Sequence, residues 1–165
     1  MAFVSSGPVC YTEKDMVFAL AVSLVVIADQ LSKFLIRTNL DLSQSIPEDG
    51  LVRLTYVRNP GAAFGLLSNQ TFLIILTAVV GIAILFLYYR YPPFGRLPVR
   101  VGLGLLLGGS IGNLVDRLRS GYVTDFIDLR VWPVFNLADS AIVVGVVILA
   151  YFLIFLALRE GHPAG

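Results

Sequence analysis

The sequence contains one cysteine, Cys10, and one histidine, His162, among its 165 residues. A single cysteine excludes an internal disulfide, and this inventory cannot supply a zinc site built from His and Cys ligands. A Ser-His-Asp triad would have to use His162 in the polar C-terminal tail, so the sequence does not favour a serine hydrolase. If the chain is a hydrolase, carboxylates must carry its chemistry.

Charge is also scarce. Charged residues make up 14% of the chain and hydrophobic residues 57%, whereas soluble domains carry about 25% charged residues. The formal net charge of +1 gives no basic surface for a nucleic acid, so no nucleic-acid partner is expected. This composition excludes a disordered chain, a coiled coil and a typical soluble enzyme.

Four long apolar stretches predict four transmembrane helices, at about residues 16–36, 71–89, 101–118 and 140–158. About 20 apolar residues suffice to cross a bilayer, and a helix satisfies its own backbone hydrogen bonds in lipid. We therefore expect residues 1–165 to form a single integral membrane domain, with connections at 37–70 and 119–139 on one side. The first stretch is longer than a signal-peptide core and contains Asp29, Gln30 and Lys33, so it is not expected to be cleaved.

Arginine placement gives the expected orientation. The connection at residues 90–100 contains three arginines and no acidic residue, which favours the cytoplasmic side. Both termini then lie in the cytoplasm, and the two long connections are extracytoplasmic. The total count of Lys and Arg on the two sides does not decide the orientation.

Polar residues are expected to gather at one membrane face, because successive spans run in opposite directions. Ionisable groups at membrane depth are costly and usually line a site or pair with one another. The predicted cluster consists of Asp29, Lys33, Asn113, Asp116, Arg117, Asn136 and Asp139 near helix ends, with Asp125 and Asp128 in the second outer loop.

Spacing sharpens this prediction. Asn113, Asp116 and Arg117 share one helix face, and Gly104, Gly108 and Gly112 precede them on that face in a pattern that permits close helix contact. Simpler interpretations stay open for two other members. Asp29 and Lys33 are four residues apart and could form only a structural pair, and Asp139 could serve only as a helix cap.

The outer connections contain less apolar sequence. Residues 51–57 are rich in β-formers and predict one or two short strands, and Asn59-Pro60-Gly61 predicts a turn. The small apolar residues at 62–67 suit a segment lying at the bilayer surface. Residues 131–135, which include Trp132, also suit the interface.

Two neighbouring carboxyl groups offer peptide hydrolysis without metal, serine or histidine. Like charges that lie close together do not both ionise easily, so the pair shares one proton. One carboxylate then takes a proton from water while the other donates a proton to the substrate carbonyl. Spacing alone could pair Asp116 with Asp139.

Five short motifs follow one another in a recognisable order. They are Asp29-Gln30-Leu31-Ser32-Lys33, Asn59-Pro60-Gly61-Ala62-Ala63-Phe64, Gly108-Gly109-Ser110-Ile111-Gly112-Asn113-Leu114-Val115-Asp116-Arg117, Val123-Thr124-Asp125-Phe126 and Phe135-Asn136-Leu137-Ala138-Asp139-Ser140. The set resembles the bacterial lipoprotein signal peptidases, signal peptidase II, from about Asp29 to Ser140. Thr124 departs from the usual valine of the family, and we expect little effect because both residues are β-branched.

The resemblance implies an intramembrane aspartyl protease with Asp125 and Asp139 as its catalytic pair. Asp116 ranks lower, because Asn113 and Arg117 beside it could hold it ionised as a structural anchor. Residues expected to bind substrate or support the pair are Asp29, Lys33, Asn59, Gly61, Asn113, Asp116, Arg117 and Asn136.

The resemblance also implies the fold and the partners. The expected fold is an all-α membrane protein of four transmembrane helices with a small extracytoplasmic β-sheet cradle and an interfacial helix. Expected ligands are diacylglyceryl prolipoproteins, membrane lipid and globomycin-type inhibitors, with no metal or cofactor. We expect a monomer in the bacterial inner membrane, with its active site near the extracytoplasmic face.

Two other functions fit parts of the pattern. A small transporter could use Asp29, Asp116 and Arg117 as a relay, but the polar residues lie at one end and spans two and four contain no charge. A structural subunit would need only glycine-lined helices, and would leave the aspartates unexplained.

Overall fold

The protein consists of four long helices and a small sheet in a computed structural model that describes residues 11–61, 70–90 and 96–160. The helices are α1 (Tyr11–Asn39), α2 (Gln70–Arg90), α3 (Leu97–Ser120) and α4 (Leu137–Glu160). Within the described ranges, four helices are long and apolar enough to cross a membrane. The predicted all-α membrane fold with a small sheet is confirmed.

The sheet lies at one end of the bundle. Its strands are β1 (Ser45–Ile46), β2 (Arg53–Asn59) and β3 (Val123–Asp128), ordered β1-β2-β3 and antiparallel throughout. Strand β2 begins and ends two residues later than the predicted 51–57. The interfacial segment predicted at 62–67, as well as Cys10 and His162, lies outside the described residues.

Helix α3 is the central helix, packing against α1, α2 and α4. Its glycines make the close approach possible. A Cβ at Gly104 would lie 2.7 Å from the Cβ of Ala21, and a Cβ at Gly108 would lie 2.8 Å from the Cβ of Val25. The predicted small-residue face therefore contacts α1, and it leads along α3 to Asn113 and Asp116.

The end of α3 redirects the chain into the sheet. Gly121 adopts a left-handed conformation with φ of 76°, and its N–H donates to the Arg117 carbonyl. Such a cap ends a helix within one residue. The chain then enters β3 directly, which brings Asp125 back over the helix ends.

Apolar packing fixes the sheet on the bundle. Tyr56 of β2 and Phe126 of β3 are buried against Ile36 and Leu40 at the end of α1. Phe135 then pairs with Ile127 through backbone hydrogen bonds in both directions, of 2.7 and 3.1 Å. This pairing joins β3 to the residue just before Asn136 and the start of α4.

Two boundaries differ from the sequence prediction in ways that matter for the site. Helix α4 begins at Leu137 rather than about residue 140, so Asp139 lies within its first turn. Asp125 belongs to strand β3 and not to a loop. The loop interpretation failed because residues 123–128 gain their strand partner only from β2, more than 60 residues earlier in the chain. Trp132, in the segment predicted to suit the interface, is 68% exposed.

Candidate active site

Asp125 is held by two side-chain amides. Asp125 is buried, with 2% of its surface exposed. One carboxyl oxygen accepts a hydrogen bond from Asn59 Nδ2 at 2.8 Å, and the other accepts one from Asn136 Nδ2 at 2.6 Å. The carboxyl group is thus fixed in orientation by one amide from β2 and one from the residue just before α4.

The turn geometry around Asn59 makes it a defined donor. Its Oδ1 accepts the backbone N–H of Gly61 at 2.8 Å, so Nδ2 must point towards Asp125. Gly61 has φ of 91°, a conformation that favours glycine. The predicted Asn59-Pro60-Gly61 turn therefore orients the amide that binds Asp125.

Asp139 lies across Asn136 from Asp125. Its backbone N–H donates to Asn136 Oδ1 at 2.9 Å, and its Oδ2 accepts from the backbone N–H of Asn136 at 3.3 Å. This is the reciprocal pattern of a helix capping box. Asp139 does form the cap contact foreseen from the sequence, and the same residue, Asn136, also binds Asp125.

Asn113 supplies the second contact to Asp139. Its Nδ2 donates to Asp139 Oδ1 at 2.8 Å, while its Oδ1 accepts from Lys33 Nζ at 3.0 Å and from Asn136 Nδ2 at 3.2 Å. An ammonium group can only donate, so Lys33 determines which end of the Asn113 amide faces Asp139.

Lys33 is completely buried among acidic side chains. Its Nζ lies 2.9 Å from Asp29 Oδ2 and 3.2 Å from Asp116 Oδ2. Asp29 does more than pair with Lys33, because its Oδ1 accepts the backbone N–H of Ala138 at 3.0 Å. The i, i+4 pair foreseen from the sequence exists, and it also anchors the first turn of α4 to α1.

Asp116 is an anchor, but its partners differ from those expected. They come from α1 and β3: Lys33, then Arg37 Nη1 at 3.5 Å, and the backbone N–H of Thr124 at 2.9 Å. Arg117 interacts with the aspartates only through its electric field, with no ion pair to any of the described residues. Sequence spacing on α3 could not reveal the cations that α1 presents to Asp116.

Nine of the ten predicted site residues thus join one hydrogen-bonded network, and Arg117 lies beside it. Three further members were missed by sequence reasoning: Gln30, Arg37 and Thr124. Gln30 Nε2 donates to Asp29 and Asp116, and Arg37 Nη1 donates to Thr124 Oγ1 at 3.1 Å. Arg37 lies one helical turn after Lys33, a spacing that signals a shared face. The Thr124 hydroxyl makes a contact that the usual valine could not make.

The surroundings of Asp125 change its acidity. Burial and the nearby charge of Asp139 raise the pKa of Asp125, hydrogen bonds from Asn59 and Asn136 lower it, and the net pKa is about 6. A carboxyl group with this pKa can hold or release a proton near neutral pH. Asp125 and Asp139, joined through one asparagine, can therefore supply a proton donor and a proton acceptor to the same small molecule or bond.

An apolar cavity opens beside this pair. Its volume is about 420 Å³, and Asp139 is one of its lining residues. The other lining residues are Leu129, Trp132, Phe135, Ser140, Val143 and Val144. A substrate with an apolar group next to the reacting bond would fit such a site.

Comparisons with known protein sequences agree with one another. The sequence model of a protein family described as "Signal peptidase (SPase) II" matches residues 21–155 of the chain. The chain is 53% identical over 148 residues to the lipoprotein signal peptidase of Moorella thermoacetica, covering 89% of this chain and 99% of that protein. It is 45% identical over 135 residues to the lipoprotein signal peptidase of Halothermothrix orenii, covering 81% and 92%.

Solved structures have the same fold. A bacterial membrane enzyme determined by the in meso method at 2.3 Å resolution matches with a TM-score of 0.77 and 33% identity, covering 90% of this chain and 92% of that chain. A second such structure, at 1.9 Å resolution, matches with a TM-score of 0.76 and 34% identity over 82% and 91% of the two chains.

Proposed function

Because this chain belongs to the signal peptidase II family, we propose that it is an aspartic endopeptidase that removes signal peptides from diacylglyceryl-modified prolipoproteins. It cleaves immediately before the lipidated cysteine. Family membership supports a protease acting on lipoprotein signal peptides, and the four apolar helices support a multi-pass membrane protein. The transporter and structural-subunit hypotheses lose their support with this membership.

Asp125 and Asp139 are the proposed catalytic pair. The observation that carries this assignment is their common contact with Asn136, which places both carboxyl groups around one residue. Asp116 is less suited to the chemistry, because Lys33, Arg37 and a backbone N–H occupy its carboxylate.

The two carboxyl groups have different parts in the reaction. Asp125 is the proton donor, since its raised pKa of about 6 keeps the protonated form accessible near neutral pH. Asp139 takes a proton from water, the water oxygen attacks the scissile carbonyl carbon, and Asp125 donates its proton to the carbonyl oxygen. Collapse of the tetrahedral intermediate breaks the C–N bond, as Asp139 gives its proton to the leaving nitrogen and Asp125 takes back the proton of the carbonyl-derived hydroxyl. Both carboxyl groups are then ready to exchange protons with the next water.

Lys33 is a positioning residue for this pair. It fixes the Asn113 amide so that Nδ2 faces Asp139, and the Asn113 Oδ1 in turn accepts from Asn136. Each of the two amides therefore presents an N–H to one of the acids. Such fixed donors hold reacting groups in place before substrate arrives.

The apolar cavity beside Asp139 supports a lipid-modified substrate. A diacylglyceryl cysteine carries its acyl chains next to the scissile bond, so these chains could enter the cavity lined by Trp132 and Val143 while the peptide bond meets the pair. A globomycin-type inhibitor would compete for the same space.

The proposed location is the bacterial inner membrane, with the protein as a monomer. Three arginines and no acid in the connection at 90–100 support placing that end, and both termini, in the cytoplasm. The sheet and the aspartate pair then lie near the extracytoplasmic face.

The test is cleavage of a prolipoprotein by the purified full-length protein in detergent, with and without the diacylglyceryl group on its cysteine. Mass spectrometry of the products should show cleavage directly before the lipidated cysteine, and the unmodified substrate should react far more slowly. Equal rates for both substrates, or cleavage at another bond, would overturn the proposed specificity. Expression of the double variant D125N/D139N provides the inactive control.

A further inference from the structure

The sheet carries a second cluster of polar side chains on the face opposite Asp125. Neighbouring residues of a strand point to opposite faces, and Arg58 pairs with Thr124 while Val57 pairs with Asp125. Arg58 and Thr124 therefore lie on the face turned away from the aspartate pair. Arg58 is exposed there, so this face offers a positive charge at the end of the bundle.

Arg58 is held in place by two tyrosines. Its Nε donates to the Tyr56 hydroxyl at 3.1 Å, and its guanidinium carbon lies 4.9 Å from the Tyr122 ring centroid and 5.7 Å from that of Tyr56. Stacking of this kind orients a guanidinium without neutralising it. Among the residues that the structure describes, the two terminal nitrogens of Arg58 have no hydrogen-bond acceptor.

No acidic residue neutralises Arg58. Over the described parts of the chain, it forms no ion pair. The segment 62–69 that follows its strand contains no Asp or Glu either. Two acidic residues lie close to Arg58 along the strand pairing or through Thr124, namely Asp125 and Asp116. Both are already bound to other side chains.

Arg37 adds a second cation to this face. Its Nη1 donates to the hydroxyl of Thr124, the register partner of Arg58. Its side chain is 26% exposed, and its Nη1 also pairs with Asp116 Oδ1 at 3.5 Å, which leaves its second terminal nitrogen for a ligand. Both guanidiniums act electrostatically on the Tyr122 hydroxyl. Arg37 of α1 and Arg58 of β2 therefore lie near each other, because Thr124 contacts the first and pairs with the second.

The position of this cluster along the membrane normal indicates its ligand. The first candidate membrane span is Met16–Asn39, and Arg37 lies in its last turn, where a helix that crosses a bilayer leaves the hydrocarbon. Lipid phosphates occupy that layer, and arginine binds phosphate through paired N–H donors. A soluble anion would reach the same place only from the aqueous side.

We propose that Arg37 and Arg58, oriented by Thr124 and Tyr122, bind the phosphate of an anionic phospholipid in the leaflet on the side of the sheet. The site goes beyond the proposed protease function and is separate from the aspartate pair. A zwitterionic lipid carries its own ammonium charge close to the phosphate and would gain less from the two guanidiniums.

The experiment measures lipid binding to the purified full-length protein by native mass spectrometry in detergent, with phosphatidylglycerol and phosphatidylcholine titrated separately. We expect R58Q to bind phosphatidylglycerol about fivefold more weakly than the unchanged protein, which corresponds to about 1 kcal/mol per arginine near a lipid surface. Binding of phosphatidylcholine should change little. R130Q is the matched control, since Arg130 is also exposed in a connection at the sheet end of the bundle.

Three results would overturn the proposal. R58Q could bind phosphatidylglycerol as tightly as the unchanged protein, or R130Q could lose as much affinity, which would indicate a non-specific charge effect. Displacement of the lipid by excess inorganic phosphate would identify a free-anion site instead. The experiment measures lipid binding and not cleavage. The lipid site can therefore be refuted while the proposed protease function stands, and the protease function can be refuted while the lipid site stands.

Discussion

Replacing Asp125 by asparagine should stabilise the folded protein near neutral pH while removing its activity. The carboxyl group is 2% exposed and lies near the charge of Asp139. An ionised carboxylate in that position opposes folding, and a neutral amide of the same size does not. The substitution therefore separates the requirement for activity from the requirement for stability.

The magnitude follows from the pKa. Burial raises the pKa of Asp125 from 3.8 to about 6, and a shift of about two units corresponds to about 3 kcal/mol. Because the folded state has the higher pKa, it binds more protons than the unfolded state between these two values. The free energy of unfolding therefore falls as pH rises from about 4 to about 6, and the full penalty is present above about 6.

Part of the gain in the free energy of unfolding is offset because D125N loses a hydrogen bond. An asparagine at position 125 has one acceptor oxygen where the carboxylate has two. Neither Asn59 nor Asn136 can rotate its side-chain amide to present its oxygen to the new NH2 group. Asn59 Oδ1 is held by the Gly61 N–H, and Asn136 Oδ1 by the Asp139 N–H. One lost hydrogen bond costs about 1 kcal/mol, so the net gain for D125N is about 2 kcal/mol above pH 6, disappears near about pH 4.5 and is a small net loss at about pH 4.

The assay is reversible unfolding in mixed detergent micelles, measured across this pH range for the unchanged protein and for D125N. D49N makes the same chemical change at an exposed residue and should leave the free energy of unfolding unaltered at every pH. If D125N is no more stable than the unchanged protein at neutral pH, or if its gain persists at about pH 4, burial does not raise the pKa of Asp125.

Further variants test the surrounding network. N113A should lower kcat by about 100-fold through misplacement of Asp139, with folding checked by melting temperature, and an unaltered kcat would remove Asn113 from the positioning network. D116N should lower the free energy of unfolding by about 3 kcal/mol, and the folded fraction should keep its activity. A fully stable but inactive D116N would instead assign Asp116 to the catalytic pair. G112A should lower the melting temperature, because its Cβ would lie 2.5 Å from a carboxyl oxygen of Asp29. G81A, whose Cβ would lie 3.5 Å from Leu107, should not lower it. Equal melting temperatures for the two variants would contradict the tight packing around Gly112. Arg53 and the Arg130 N–H lower the pKa of Asp128 to about 2, so its stabilisation of the sheet should be lost as pH falls from about 4 through about 2, and the melting temperature of D128N should lack this dependence.

Most of the helical frame could be predicted from the sequence, because crossing a bilayer requires about 20 apolar residues and leaves an obvious pattern. The gathering of Asp29, Asn113 and Asp139 at one end also followed, since successive spans alternate in direction. The glycine spacing on α3 correctly identified a tightly packed face.

The sheet was harder to predict because its strands depend on distant partners. Residues 123–128 become a strand through pairing with β2, and Phe135 pairs with Ile127 to bring α4 alongside. The partners of Asp116 were missed for a similar reason: long cationic side chains from α1 reach it across the helix interface. Local spacing carries no information about such contacts.

The most direct test of the account is the single-turnover rate of cleavage of a diacylglyceryl-modified prolipoprotein by D125N and by D139N, each reconstituted in the same lipid, with D128N as the control. We predict that each of the first two variants loses at least about a thousandfold in rate while its melting profile shows a folded protein, and that D128N at neutral pH keeps a rate close to that of the unchanged enzyme. Near-normal cleavage by either D125N or D139N would contradict the claim that these two carboxyl groups activate the water together.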